Sequence, residues 1–217
     1  MTLALFDLDN TLLNGDSDHA FGEYLCQRGI VDTNAFKRAN DQFYLDYQQG
    51  TLDIEAYIQF ALAPLTKLSA AKRLGLQAEF MQDIIEPMIL EKGVSLLNKH
   101  RREGHTLVII TATNRFVTGP IARRLGVSHL IATEPEIIDG KFTGKHTGTP
   151  CFQEGKITCL NQSLKHLNET LDGSYFYSDS ANDLPLLKKV THPVAVDPCP
   201  RLSSYAKTYD MPIISLR

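Results

Sequence analysis

The four cysteines include no pair at CxxC spacing, and the seven histidines include none in HxH or HExxH spacing. These absences exclude a zinc knuckle, a dithiol redox motif and a zincin helix. Cys26, Cys151, Cys159 and Cys199 are expected to be free thiols in a reducing cytoplasm, and the scattered histidines to be surface or capping residues. Charge of one sign is also missing. The 22 basic residues against 25 acidic ones leave a net charge of −3, so no basic surface for nucleic acid or an anionic membrane is expected. No apolar run approaches the roughly 20 residues that span a bilayer. The start, MTLALFDLD, puts Asp7 where a signal peptide would carry a basic region. A cytoplasmic protein with no membrane or nucleic-acid partner is the expectation, with monomer and homodimer both open.

What is present is enough apolar material for a packed core, 43% hydrophobic residues in 217. Short apolar runs recur at TLALFD (2–7), HTLVIIT (105–111), HLIATE (129–134), SYFYSD (174–179) and HPVAVD (192–197). Between them the apolar residues take helical spacing, as in Val94, Leu96 and Leu97, Ile121 to Leu125, and Ile157, Leu160 and Leu164. Strands alternating with helices predict an α/β fold, a Rossmann-like, doubly wound parallel sheet with helices on both faces. From about Asn14 to Glu86 the alternation stops. Ser17–Arg28, Asn34–Gln48, Asp53–Ala63 and Ser69–Ile85 have helical spacing, with Ser69 as an N-cap and Pro64 and Pro87 as stops. The expected organisation is an α/β core, 1–13 and 87–217, with a helical cap, 14–86, inserted after the first strand.

In open α/β sheets ligands bind beyond the carboxyl ends of the strands. The first strand ends in Asp7, Asp9 and Thr11, the second in Thr111, Thr113 and Asn114, and a later one in Asp179, Asn182 and Asp183. Carboxylates gathered at one edge repel each other unless a cation intervenes. A hard divalent ion with oxygen ligands, Mg2+, answers that need. A calcium loop starting at Asp7 fails, because Leu12 and Asp18 stand where it needs Gly and Glu. GKFTGKH (140–146) fails as a phosphate loop, with wrong glycine spacing and His146 in place of Ser or Thr. Lys156, in QEGKITCL near a helix start, is a further candidate.

FDLDNT (6–11), VIIT (108–111), Lys156 and SDSAND (178–183), in this order, resemble the four motifs of the haloacid dehalogenase superfamily. The resemblance covers nearly the whole chain, and the helical stretch matches the cap of the phosphoserine phosphatase-like branch. It implies a magnesium-dependent phosphomonoesterase acting on a small-molecule phosphate ester. Asp7 would be the nucleophile that forms an aspartyl-phosphate, and Asp9 the general acid and base. Asp7, the Asp9 carbonyl and Asp179 would hold Mg2+. Thr111 and Lys156 would stabilise phosphoryl charge. Asp183 would orient the metal shell or Lys156, and Thr113, Asn114 and Asn182 would contact substrate.

In the same comparison Asp16 takes the place of the cap acid that holds a substrate amine, and Gln59 that of the cap arginine that clamps a carboxylate. Losing a bidentate clamp disfavours phosphoserine and favours a carboxylate-free amino-alcohol phosphate such as histidinol phosphate. The alternatives are a phosphotransferase using the same intermediate and a non-catalytic phosphate-binding regulatory module.

Overall fold

In the computed structural model, which describes residues 2–167 and 169–217, β1 (Leu3–Phe6) is the axis of the sheet. It pairs in parallel with β2 (Thr106–Asn114) on one side and β5 (Tyr175–Ser178) on the other. The chain continues outward to β3 (His129–Ile138) and β4 (Lys141–Thr147) past β2, and to β6 (His192–Val196) and β7 (Ile213–Ile214) past β5. The sheet therefore has seven strands in the order β4-β3-β2-β1-β5-β6-β7. Because crossovers leave β1 in both directions, the crevice beyond its carboxyl end is the switch point where α/β sheets bind ligands. The register aligns Phe6 with Ile109 and with Tyr177. Asp7, Ile110–Thr111 and Ser178–Asp179 thus leave the sheet at one edge.

Four residues suffice for β1 because LALF is buried on both faces, as a central parallel strand must be. Ala4 and Phe6 face one apolar cluster, and Leu3 and Leu5 the other. The second face is covered by α8 (Glu154–Leu167), α9 (Leu184–Leu187) and α10 (Pro200–Thr208), through Leu160, Leu186 and Leu202. Against the first face lie α6 (Glu91–Arg102) and α7 (Arg115–Arg124), together with the long helical excursion that follows β1.

That excursion runs through α1 (Ser17–Gln27), α2 (Thr33–Gln49), α3 (Ile54–Thr66) and α4 (Ala70–Phe80), a π-helical turn at Met81–Ile85 and the short α5 (Glu86–Met88). Side chains of Asp16, Asp32, Asp53 and Ser69 cap the first four helices by accepting from their first-turn amides. Pro64 and Pro87 do not stop the helices. Pro64 lies inside α3 and Pro87 inside α5, each in a last turn that ends within two residues.

Three features depart from the sequence pattern. The stretch after Thr133 does not end a strand but turns back as β4, antiparallel to β3 and packed on α3. The edge strand β7 pairs only two residues with β6. His100 is not a surface residue: it is 1% exposed, with Nε2 2.8 Å from the Tyr177 hydroxyl and Nδ1 2.7 Å from His105 Nδ1. All four cysteines are free thiols. Among the described residues no helix is long and apolar enough to cross a membrane.

Candidate active site

Asp7 leaves β1 with its backbone N–H donated to the Tyr177 carbonyl, which carries the β1–β5 pairing one residue past the strand. Its side chain is buried and meets Lys156, whose Nζ lies 2.8 Å from Asp7 Oδ1. The same ammonium lies 2.7 Å from Asp183 Oδ1. Lys156 reaches this point because Gly155 lets the first turn of α8 press onto Pro150: a Cβ there would stand 2.0 Å from the Pro150 carbonyl oxygen. Asp183 is fixed from the other side by the Ser178 hydroxyl at 2.7 Å. Burial disfavours the Lys156 charge, but Asp183 and Asp7 outweigh it and hold the ammonium protonated.

Asp9 faces the same space. Past it Asn10 takes a left-handed φ of 55°, a conformation that asparagine tolerates, and its N–H closes the loop onto the Gly15 carbonyl. Asp9 Oδ1 accepts from the Ser17 amide at 2.6 Å, and Oδ2 from the Thr113 hydroxyl at 2.9 Å. The Thr111 hydroxyl stands 3.5 Å from the same Oδ2. Burial pushes Asp9 up to about 6, with the charge of Asp16 adding to the effect. Asp7 is pushed up to about 7, again by burial first, against the pull of Lys156.

Asp179 stands across from them. Its N–H donates to the Thr11 hydroxyl at 3.1 Å, and that hydroxyl lies 3.3 Å from Asp179 Oδ1. Burial, then Asp7 and Asp183, drive its proton affinity well above the usual carboxylate range. Lys156 is thus shared by Asp7 and Asp183, while Asp9 and Asp179 make no ion pair among the described residues. The uncompensated charge and the all-oxygen donor set fit a hard divalent cation.

The cavity above these groups is floored by Asp7, Asp9, Thr111 and Thr113. Asp16 and Asp18 line one side, while Phe43, Tyr44, Tyr47 and Tyr57 from α2 and α3 form much of the rest. No lysine or arginine is among its lining residues.

Three residues expected at the substrate stand elsewhere. Gln59 is exposed on α3; two residues after Tyr57 the helix has turned about 200°, so Tyr57 lines the cavity and Gln59 faces away. Asn114 caps α7 through Oδ1, while its Nδ2 reaches Asp18 at 3.3 Å. Asn182 donates to the Tyr47 carbonyl at 2.9 Å, tying the end of α2 to the sheet edge. The aromatic wall was missed in the sequence, although Asn40, Tyr44 and Tyr47 repeat at the spacing of one helix face.

A model of haloacid dehalogenase-like hydrolases matches residues 4–188. The chain belongs to this family. A histidinol-phosphatase of Neisseria meningitidis serogroup C (strain 8013) is 44% identical over 219 residues, covering 99% of each chain. A solved structure of a protein of unknown function from Bordetella pertussis Tohama I covers all of both chains with a TM-score of 0.93 and 42% identity. A substrate-bound phosphoserine phosphatase shares the fold, with a TM-score of 0.72, 19% identity and coverage of 98% of this chain and 92% of that one. The family expected from the four motifs, the α/β fold class expected from the alternation of strands and helices, and a hydrolase as the kind of enzyme are thereby shown.

Proposed function

We propose that this haloacid dehalogenase-like hydrolase is a magnesium-dependent phosphomonoesterase whose substrate carries an amine and no carboxylate, histidinol phosphate being the leading candidate. The observation that carries it is the placement of Asp7 and Asp9 on one cavity floor with different partners. Lys156 orients Asp7 and favours the ionised form that attacks, and the new bond joins Asp7 to phosphorus in an aspartyl-phosphate. Asp9 is aligned by Ser17 and Thr113 and has a raised proton affinity. Those features suit it to protonate the leaving alkoxide and then to take a proton from the attacking water. Thr111 and Lys156 are placed to meet developing phosphoryl charge.

Mg2+ would be held by the Asp7 carboxylate, the Asp9 carbonyl and Asp179, and when bound supplies charge neutralisation between an anionic nucleophile and an anionic ester. Asp183 serves as the brace for Lys156. Segment 14–86 acts as a cap domain on a core formed by 1–13 and 87–217, and its aromatic residues enclose the part of the substrate beyond phosphate. The histidinol-phosphatase relative and the lack of a lysine or arginine on the cavity wall both support an amine-bearing substrate over phosphoserine.

The test is phosphate release from histidinol phosphate, phosphoserine and an aryl phosphate, with Mg2+ and with excess chelator. Release only with Mg2+, highest kcat/KM for histidinol phosphate, and loss of turnover in a folded Asp7→Asn variant are expected. Equal activity in chelator would remove the metal from the reading, and a preference for phosphoserine would overturn the substrate class.

A further inference from the structure

We propose that the cavity contains an ammonium subsite built on Asp18, with Asn114 and Tyr57 as its supports, so that Asp18 and not Asp16 receives the substrate amine. This rests on the phosphomonoesterase reading and adds the residue that reads the substrate. Asp18 lies in the first turn of α1, lines the cavity and is 8% exposed. Among the described residues it makes no ion pair. Its hydrogen-bond partners are the Asn114 amide at 3.3 Å and the Tyr57 hydroxyl, both neutral donors. A carboxylate withdrawn from water with only neutral partners is costly to keep ionised, and burial first, then Asp16 and Asp9, raises its proton affinity well above the usual range. A ligand ammonium with three N–H donors removes that cost.

The nearby basic side chains are already engaged. His19 lies 2.9 Å from Asp41, and Lys37 is exposed and paired with Glu23 at 2.6 Å. Asp16 is committed differently: its Oδ1 accepts from the amides of Asp18 and His19 at 3.0 and 2.8 Å, which starts α1. Its first task is to cap the helix that presents Asp18. The neighbouring rings of Tyr44 and Tyr57 suit a cationic ligand, because aromatic faces attract ammonium groups.

The test needs no turnover. Wild type, Asp18→Asn and Asp16→Asn are titrated in Mg2+ with L-histidinol and with 3-(imidazol-4-yl)propan-1-ol, which lacks only the amine, and binding is followed by calorimetry or NMR. A charge-assisted contact predicts that wild type binds the amine at least about tenfold more tightly than its amine-free counterpart. Asp18→Asn, nearly isosteric, should bring the two affinities within about threefold, while Asp16→Asn keeps the gap. Tyr57→Phe, which retains the ring, should narrow it partially. Equal affinities in wild type, an unchanged gap in Asp18→Asn, or a gap lost only in Asp16→Asn would overturn the assignment. Hydrolysis of an aryl phosphate by wild type is measured beside it. Its absence would sink the phosphomonoesterase reading and leave the amine discrimination to be judged alone.

Discussion

Lys156 and Asp7 form a buried ion pair, 2.8 Å from Nζ to Oδ1, with the two residues 2% and 3% exposed. They are 149 positions apart in the chain, so the contact exists only when α8 is seated against the central strand. Asp183 is also on Nζ, so one ammonium serves two buried carboxylates. Lys156→Met should therefore damage fold and chemistry together. Leaving the two carboxylates without their cation costs about 3–5 kcal/mol, read by urea denaturation in chelator. The loss should grow as pH rises from 6 to 8, because Asp7, pushed up to about 7 by burial, can relieve it only by binding a proton. Turnover should fall by at least about 100-fold. A variant as stable as wild type at pH 8 would contradict the ion-pair account.

Gly155 sets how closely α8 approaches, and Gly75 supplies its control. In Gly155→Ala the new methyl meets the Pro150 carbonyl oxygen at 2.0 Å, backbone that no side-chain rotation can clear. A loss of about 1–3 kcal/mol is expected, with a fall in kcat because Lys156 is the next residue. Gly75, inside α4, has nothing within 4 Å of its added Cβ, so Gly75→Ala should stabilise by about 0.5–1 kcal/mol. The two variants are compared by thermal denaturation, and equal effects would rule out the close approach as the cause.

The parts of this site that were legible in the sequence are those fixed by chain-local physics. A run such as LALF, ending in DLDN, identifies a buried strand whose carboxyl end carries charge, and parallel register then brings Asp7, Thr111 and Asp179 to one edge. Contacts that depend on how separate helices pack were not legible. Gln59 and Tyr57 differ by two positions, and only the rotation of α3 decides which faces the cavity. Asn182 falls in a catalytic-looking motif, yet its amide is taken by a carbonyl of α2, 135 positions away. The β4 hairpin went unseen because KFTGKHT is polar and glycine-containing, and its pairing comes from β3 and α3 rather than its own composition.

His100 predicts an acid-side loss of stability. Burial, with His105 beside it, lowers its pKa from 6.5 to about 4. The unfolded chain thus binds the proton first as pH falls. Stability from this group is complete above pH about 6.5 and declines through pH 4, by up to about 3 kcal/mol. His100→Gln removes that titration, so the stability difference between wild type and variant should shrink steadily from pH 7 to pH 4. Taking the difference cancels the carboxylates, which are common to both proteins. A difference that does not vary with pH would show that His100 titrates alike in the folded and unfolded states.

Asp9 and Asp7 share a floor but should fail differently when changed. In Asp9→Asn the amide oxygen can still accept from the Ser17 N–H, and the Thr113 hydroxyl can rotate to accept from the new NH2, so the loop should keep its shape. What disappears is the proton supplied to the leaving group. For an alkyl phosphate, whose alkoxide is a poor leaving group, single-turnover transfer to Asp7 should slow by about 100- to 10,000-fold. An activated aryl phosphate hardly needs that proton, so its transfer should slow far less. The later hydrolysis of the aspartyl-phosphate still needs a base, and phosphorylated enzyme should accumulate with the aryl substrate. Equal slowing of the first step with both substrates would remove Asp9 from the acid role and leave it as a brace for the loop between β1 and α1.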